Sequence, residues 1–366
     1  GHIAMVTMQS WMFLSSYTIL REKILRETTI ENLSHMANGV MGIAFGTSAT
    51  IFRKCFIKKY IGSYFKVEYD DIDSNSIPYK IPPRNDFNKK ALENYLFTAT
   101  AEDFKKIPGS PVAYWVKNSF RKIFSNSSQL SSLADVRHGL TTGNNESVVR
   151  RWTEININDF DKNIDTQKKV LLSHAKWFPY NKGGEYRKWF GNCDFVLRYD
   201  AYGQNMMNSF SGHRHDGKER YFQEGVTWTF ISSSNFAARY TPHGFVFDVA
   251  GSSLFVESPL YFTAFLCSPA CIYILKIFNP TLNFQVGNLK SLPIIFSHKD
   301  NITFNSQEII KISLSDWNAY ERSWDFQSLP LLRPEYRSHS LPAAYTGVRA
   351  AWQVMTGEMQ RLEEEN

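Results

Sequence analysis

The chain opens with a continuous apolar stretch that is followed by an amphipathic one. Residues 1–9 form an apolar run typical of a strand covered on both faces, and residues 17–27 place apolar side chains at helical spacing. Such a strand needs parallel neighbours, so we predict that the chain begins inside an α/β sheet and is a piece of something larger. The alternative is that Gly1–Met5 are vector-derived residues in front of a short strand.

The following apolar runs predict more of the same sheet. Residues 30–36 are predicted to form a strand, and residues 43–52 and 60–69 a pair of strands that form a hairpin or a sheet edge. This order is typical of the closing part of a doubly wound α/β sheet over residues 1–70. The polar, proline-containing residues 71–106, with a short helix at 88–97, are interpreted as a linker.

Beyond residue 106 the pattern changes to short strand-like runs broken by Gly, Asn, Asp and Pro, with helices predicted at 112–124 and 261–278. We interpret residues 107–335 as a second, α+β domain and residues 336–366 as a helical tail with an apolar stripe. Pro259 and Pro269 interrupt the uncharged residues around 258–275, which favours a packed helix or helix pair over a membrane span.

Composition adds limited information about partners. The formal net charge of +6 permits a polyanionic partner without demanding one, and the 15% of aromatic residues would suit base stacking. An A/T-rich genome explains the aromatic content equally well. The four cysteines include no Cys-x-x-Cys pair, so we expect a reduced, cytoplasmic protein without a disulfide scaffold or a structural zinc site.

Two basic, glycine-containing segments have side chains suited to DNA. In residues 181–189 paired glycines allow close approach to phosphates that Lys and Arg can neutralise, and residues 212–220 form a second basic loop. An ordinary basic surface turn is the alternative for each. His213 and His215 lack a defined third ligand, so no metal site is predicted. The predicted DNA-binding side chains are Asn144, Asn145, Lys182, Arg187, Lys188, Arg214, Lys218, Arg220 and Arg239.

Five longer strings carry a resemblance to a known family. They are MVTMQSWMFLSSY at 5–17, PGSP at 108–111, GLTTGNN at 139–145, KWFPYNKGGEYRKW at 176–189 and NPTLNFQVG at 279–287. Over nearly the whole chain they resemble the adenine-specific DNA methyltransferases of BREX phage-defence systems. More distantly, the chain is similar to methyltransferase–restriction fusion enzymes.

The resemblance implies that residues 1–70 match only the closing part of an S-adenosylmethionine-dependent methyltransferase domain and residues 107–335 a target recognition domain. The family's Asn-Pro-Pro-Tyr motif is missing, and Gly39, Gly42 and Gly46 are interpreted as turn glycines between late strands. S-adenosylmethionine is therefore expected to serve the parent enzyme and not to bind this chain alone. No catalytic residue is assigned here.

One aromatic side chain is a candidate for contact with an extruded adenine. Phe45 matches the ring that related enzymes stack on the flipped base, and the alternative is a core Phe on a buried strand. The function that we expect is sequence-specific recognition of double-stranded DNA as the C-terminal part of an N6-adenine methyltransferase. The alternatives are a module that binds other defence subunits or a phage-encoded DNA mimic, and a fragment of a methyltransferase–restriction fusion.

Overall fold

The computed structural model describes residues 1–74, 95–232, 235–279 and 283–366. They form two compact units. Unit 1 comprises Gly1–Gln129 and Leu275–Thr281, and unit 2 comprises Leu130–Ile274 and Leu282–Asn366. The division falls after Gln129, whereas the sequence suggested a boundary after Lys106, and residues 336–366 group with unit 2.

Unit 1 is built on a five-stranded mixed sheet. The strand order is β1-β3-β2-β4-β5, in which β2 and β4 are parallel and every other neighbouring pair is antiparallel. The elements are β1 His2–Met8, α1 Thr18–Glu27, β2 Thr29–Met36, β3 Thr47–Arg53, β4 Gly62–Val67, β5 Leu96–Ala99, α2 Ala101–Lys105, α3 Asn118–Ser125 and β6 Ser128–Gln129.

Two predictions about this sheet are wrong. Strand β1 is an edge strand paired antiparallel to β3, and its side chains are mostly exposed, with Val6 58% accessible. An apolar run indicates a propensity to form a strand, whereas the burial of that strand depends on which neighbours pair with it. The predicted hairpin is also absent, because β2 lies between β3 and β4.

The predicted linker contains ordered structure that belongs to unit 1. Strand β5 pairs with β4, and α2 follows it with a capping box in which Thr100 and Asp103 exchange hydrogen bonds. Of the helix predicted over 88–97, residues 88–94 lie outside the described residues, and Leu96 and Phe97 are in the strand.

A buried arginine joins three segments of unit 1. Arg21, on α1, is 1% exposed, and its guanidinium donates to the carbonyls of Trp11 (3.0 Å), Leu14 (2.6 Å) and Gly109 (2.8 and 3.0 Å). Burial lowers the pKa of Arg21 to about 10. Because backbone carbonyls accept its hydrogen bonds, the buried charge of Arg21 is tolerated. The hydrogen bonds to the Gly109 carbonyl hold that turn against α1.

Unit 2 contains two four-stranded sheets. One has the order β13-β9-β10-β8, and the other, entirely antiparallel, has the order β12-β11-β14-β7. The strands are β7 Asp135–Arg137, β8 Val149–Arg151, β9 Trp177–Asn181, β10 Phe195–Arg198, β11 Gly225–Trp228, β12 Ala238–Thr241, β13 Val246–Phe247, β14 Ser253–Phe255 and β15 Pro293–Ile294. The helices are α4 Asn145–Val148, α5 Gln167–Val170, α6 Ala201–Asn208, α7 Pro259–Cys267, α8 Pro269–Phe278, α9 Val286–Lys290, α10 Lys299–Trp317 and α11 Leu341–Glu365. Residues 275–278 of α8 are grouped with unit 1.

The core of unit 2 is aromatic and holds the bases of its loops. Phe178, Tyr180, Tyr221 and Phe247 are buried in one cluster, against which Phe210 packs.

The helix predicted at 261–278 is two helices, α7 and α8, with an angle of 70° between them. In the described part of the chain no single helix has the length and apolarity to cross a membrane, although this bent pair meets that test by length and composition.

Replacing Arg21 with Met should lower the free energy of unfolding by about 3 kcal/mol, because several buried carbonyls lose their donor. Urea denaturation measures this change. Arg26→Met is the matched control on the same helix, since Arg26 is exposed and pairs only with Glu27, and it should cost less than about 0.5 kcal/mol. Equal effects of the two substitutions would contradict the structural role of Arg21.

A second prediction concerns His35, which is buried between Tyr114 and Gln9, with 2.9 Å from Nδ1 to the Tyr114 hydroxyl. Burial lowers the pKa of His35 from 6.5 to about 4. The unfolded chain binds a proton at higher pH than the folded chain, so stability falls as pH drops below about 6.5. Between about pH 7.5 and pH 5 the loss is about 2 kcal/mol. His35→Gln should remove that share of the pH dependence, and an NMR titration showing a His35 pKa near 6.5 would contradict it.

Candidate nucleic-acid interface

The loop at residues 182–192, here called the glycine loop, is tied to strand β12. Trp189 donates from its backbone nitrogen to the Ala238 carbonyl (2.9 Å), and the Tyr240 nitrogen donates to the Trp189 carbonyl (2.8 Å). The side chain of Trp189 is buried. The loop is therefore anchored at its centre.

Arg187 connects the glycine loop to helix α10. Its guanidinium donates to the Phe190 carbonyl (2.7 Å), the Ser313 carbonyl (3.3 Å) and the Asp316 carboxylate (2.7 Å), and lies 5.1 Å from the centre of the Trp317 ring. Only 26% of the side chain is exposed. These contacts engage Nε and Nη2 of Arg187 within unit 2.

The neighbouring lysines are also engaged within unit 2. Lys188 lies 2.9 Å from the Glu363 carboxylate on α11, which also accepts from the Trp189 indole. Lys182 lies 3.2 Å from Asp248. Both lysine side chains are 23% exposed, so neither is a free surface charge.

Arg239 is inside the unit. It is 2% exposed and donates to the Arg187 carbonyl (3.4 Å) and the Thr229 hydroxyl (3.3 Å), and burial lowers its pKa to about 10. In this structure it does not reach solvent, contrary to its assignment as a DNA contact. The sequence could not show this, because a buried arginine and an exposed one look the same in a polar local pattern.

The other predicted residues meet on two loops that pack together. The threonine loop is residues 139–145 and the histidine loop is residues 208–220. Thr141 and Arg214 exchange two backbone hydrogen bonds of 3.0 Å, forming an antiparallel bridge between the loops. Gly143 has φ +80°, and a Cβ there would lie 2.7 Å from the Cβ of Phe210. The contact therefore depends on glycine at this position.

The tips of these loops carry exposed polar groups. Asn144 and Asn145 are exposed, and Asn145 accepts a hydrogen bond from the Thr142 hydroxyl (2.8 Å). Arg214 has a side chain 63% exposed that pairs with Asp216 at 3.2 Å. Lys218 is half-buried.

Arg220 makes more contacts within unit 2 than Arg214 does. It lies 2.8 Å from Asp135, 3.1 Å from the Gln223 amide oxygen and above the Phe255 ring. Its side chain is still partly accessible. Arg220 therefore belongs to the base of the histidine loop.

Two residues at this surface were missed by sequence reasoning. His138 precedes the threonine loop and is exposed, and its pKa is lowered by partial burial and by the Lys290 and Arg214 charges, against the opposing effect of Asp216. Lys290, at the end of α9, is also exposed. Its sequence position, far from both loops, gave no signal of this proximity.

Phe45, in unit 1, lies in the turn between β2 and β3. Its side chain is 48% exposed, so the alternative of a core Phe on a buried strand is wrong. Gly39 and Gly42 lie in the same turn, as predicted. In the described residues no group of three His, Cys, Asp or Glu side chains is placed to hold a metal ion.

Replacing Arg187 with Ala should destabilise unit 2 by about 2 kcal/mol, because the Phe190 and Ser313 carbonyls and the Asp316 carboxylate lose a donor and Trp317 loses a stacking partner. Thermal and urea denaturation measure the change. The control is Arg361→Ala on α11, which removes an exposed arginine paired with Glu358 and Glu365. Unchanged stability of Arg187→Ala would show that these contacts do not hold the loop.

Comparison with known proteins confirms the resemblance inferred from the sequence, although no family model matches the chain. The chain is 32% identical over 364 residues to adenine-specific methyltransferase PglX of Lacticaseibacillus casei (strain Zhang), covering 94% of this chain and 30% of that protein. It is 36% identical over 340 residues to adenine-specific methyltransferase BrxX of Escherichia coli O9:H4 (strain HS), covering 91% of this chain and 26% of that protein.

Among solved structures, the fold is similar to that of the Type IIL restriction-modification enzyme MmeI, determined in complex with DNA. The TM-score is 0.52 at 11% identity, covering 99% of this chain and 48% of that one. This likeness concerns the fold alone. The chain is thus homologous, over more than nine-tenths of its length, to a portion of the adenine-specific methyltransferases PglX and BrxX, and it spans less than a third of either.

Proposed function

We propose that unit 2 recognises a specific sequence in double-stranded DNA as the C-terminal part of an N6-adenine DNA methyltransferase of a phage-defence system. The observation that carries the proposal is the pairing of the threonine and histidine loops through Thr141 and Arg214. It gathers predicted DNA-binding residues from two distant parts of the sequence onto one surface. Homology to two adenine-specific methyltransferases supports the same assignment.

The charges of this surface suit a polyanion. Arg214 is exposed, and its ion pair with Asp216 is a surface pair, so exchanging that carboxylate for a DNA phosphate costs little. His138 and Lys290 extend the surface beyond the loops. Phosphate contacts of this kind set the register of a protein on DNA.

The amide side chains supply groups that can read bases. Asn144 and Asn145 project from the threonine loop and are exposed, and an asparagine amide can pair with the N6 and N7 edge of adenine. Because the Thr142 hydroxyl donates to the Asn145 amide oxygen, the orientation of Asn145 is partly set before DNA binds. We assign sequence discrimination to these two residues.

Phe45 is assigned a different role, in unit 1. An exposed aromatic ring on a turn is available for stacking, and enzymes that modify a base inside a duplex extrude it and hold it against such rings. We propose that Phe45 stacks on the target adenine in the complete enzyme.

The methyl donor of the parent enzyme is S-adenosylmethionine, which would supply the transferred methyl group. The residues described here do not fit its binding turn, because Gly39, Gly42 and Gly46 lie in the connection between antiparallel strands β2 and β3 and not between a strand and a helix. No catalytic step is therefore assigned to this chain.

The combined substitution Arg214→Ala and Lys218→Ala should weaken duplex binding and make the plot of log affinity against log salt shallower by about 2, one unit for each lost phosphate contact. Fluorescence anisotropy of a labelled duplex over a salt series measures both effects. The control removes two exposed charges elsewhere in unit 2, Lys311→Ala with Arg361→Ala. An equal loss of affinity in the control would assign binding to net charge instead of to this surface.

Selection of bound duplexes from a random-sequence pool tests specificity separately. We expect one enriched motif, with its preference relaxed by Asn144→Ala. Absence of enrichment would contradict sequence recognition and favour a partner that only imitates the charge of DNA, such as a carboxylate-rich protein.

A further inference from the structure

Three side chains of unit 2 bring potential metal ligands to one point. Asn208 ends helix α6, and His213 and His215 lie on the histidine loop that follows. The Nε2 atoms of the two histidines are 3.0 Å apart, and His215 Nε2 is 3.2 Å from the amide oxygen of Asn208. His215 Nε2 therefore lies within 3.2 Å of both the other imidazole nitrogen and the amide oxygen.

The hydrogen bond on the far side of His213 determines which nitrogen can act as a ligand. His213 Nδ1 lies 2.8 Å from the Thr141 carbonyl, which can only accept, so Nδ1 carries the proton. The lone pair of His213 is consequently on Nε2, which accepts the Nε2 proton of His215. Binding of an ion between the two rings would release that proton. Histidines that bind metals commonly donate their other ring nitrogen to a backbone carbonyl in this way.

The spacing of the three atoms also matches an ion site. Ligands held about 2.0 to 2.1 Å from an ion lie about 3.0 to 3.4 Å apart in octahedral or tetrahedral geometry. The separations of 3.0 and 3.2 Å fall within that interval. Only small movements are needed to place an ion among the three atoms.

We propose that His213, His215 and Asn208 bind a divalent ion of the zinc class, with water completing the coordination. Imidazole nitrogen suits zinc, copper and nickel, and a neutral amide oxygen is a weaker ligand than a carboxylate. The proposal revises the expectation from the sequence that no metal binds, because Asn208 supplies the third ligand that the two histidines lacked.

The position of the site would give the ion a structural role. The ion would join the end of α6 to the histidine loop and, through the Thr141 carbonyl, to the threonine loop. The site lies on the two loops proposed to bind DNA, but its three ligands are not among the residues assigned to DNA contacts.

The test is isothermal titration of the chain with zinc chloride, in a His2→Gln background that removes the histidine beside the N-terminal amine. We expect one ion per chain. His213→Gln and His215→Gln should each weaken binding at least about tenfold, whereas His243→Gln, in the same unit, should leave it unchanged. No binding to the parent chain, or equal binding by His215→Gln, would overturn the proposal.

A variant that should bind zinc more tightly distinguishes the loss of a ligand from the loss of the fold. Asn208→Asp replaces the neutral oxygen by a carboxylate in the same position and should tighten zinc binding about tenfold. A folded Asn208→Asp variant with unchanged zinc affinity would show that position 208 does not contact the ion. Zinc binding that persists when duplex binding fails, or the reverse, separates this site from the proposed function.

Discussion

The internal pairing of positive charge is the constraint on which the rest of the structure depends. A guanidinium or ammonium group taken out of water needs acceptors, and here backbone carbonyls and carboxylates from distant segments provide them. Arg21 draws three carbonyl groups together in unit 1. In unit 2, Arg187 and Lys188 hold the glycine loop to α10 and α11. These cations act as structural connectors.

This constraint separates the scaffold from the proposed recognition surface. Cations that already have good acceptors lose hydrogen bonds if they turn toward a phosphate, whereas Arg214 exchanges one exposed partner for another. The threonine and histidine loops are fixed at their bases by buried Leu140 and Tyr221 and present their polar tips to solvent. Such support at the bases would limit the entropy lost in the proposed binding of the tips to DNA.

The sequence predicted what depends on local pattern. Helix α1 begins within one residue of the prediction, and the final helix was identified from its apolar stripe, of which Val348 and Leu362 are buried. The prolines at 259 and 269 marked the starts of two helices. The homology inferred from longer strings is confirmed by two adenine-specific methyltransferases.

What depends on pairing between distant segments could not be predicted. The apolar residues of β1 looked buried, but the strand lies at a sheet edge. The basic string at 182–188 looked like a phosphate-binding loop because its partners, Asp248, Asp316 and Glu363, are far away in the sequence. Conversely, Lys290 lies near His138 at the candidate surface although it is far from both loops in the sequence. A charge pattern shows the number of cations but not their acceptors.

Hydrogen–deuterium exchange of the chain with and without its duplex tests most directly whether the paired loops, and not the glycine loop, face DNA. We expect slower exchange on DNA binding in residues 138–145 and 212–220, with residues 182–189 unchanged. Protection confined to residues 182–189 would contradict it, because those backbone amides would then be at the interface and their basic side chains would have left Asp248, Asp316 and Glu363.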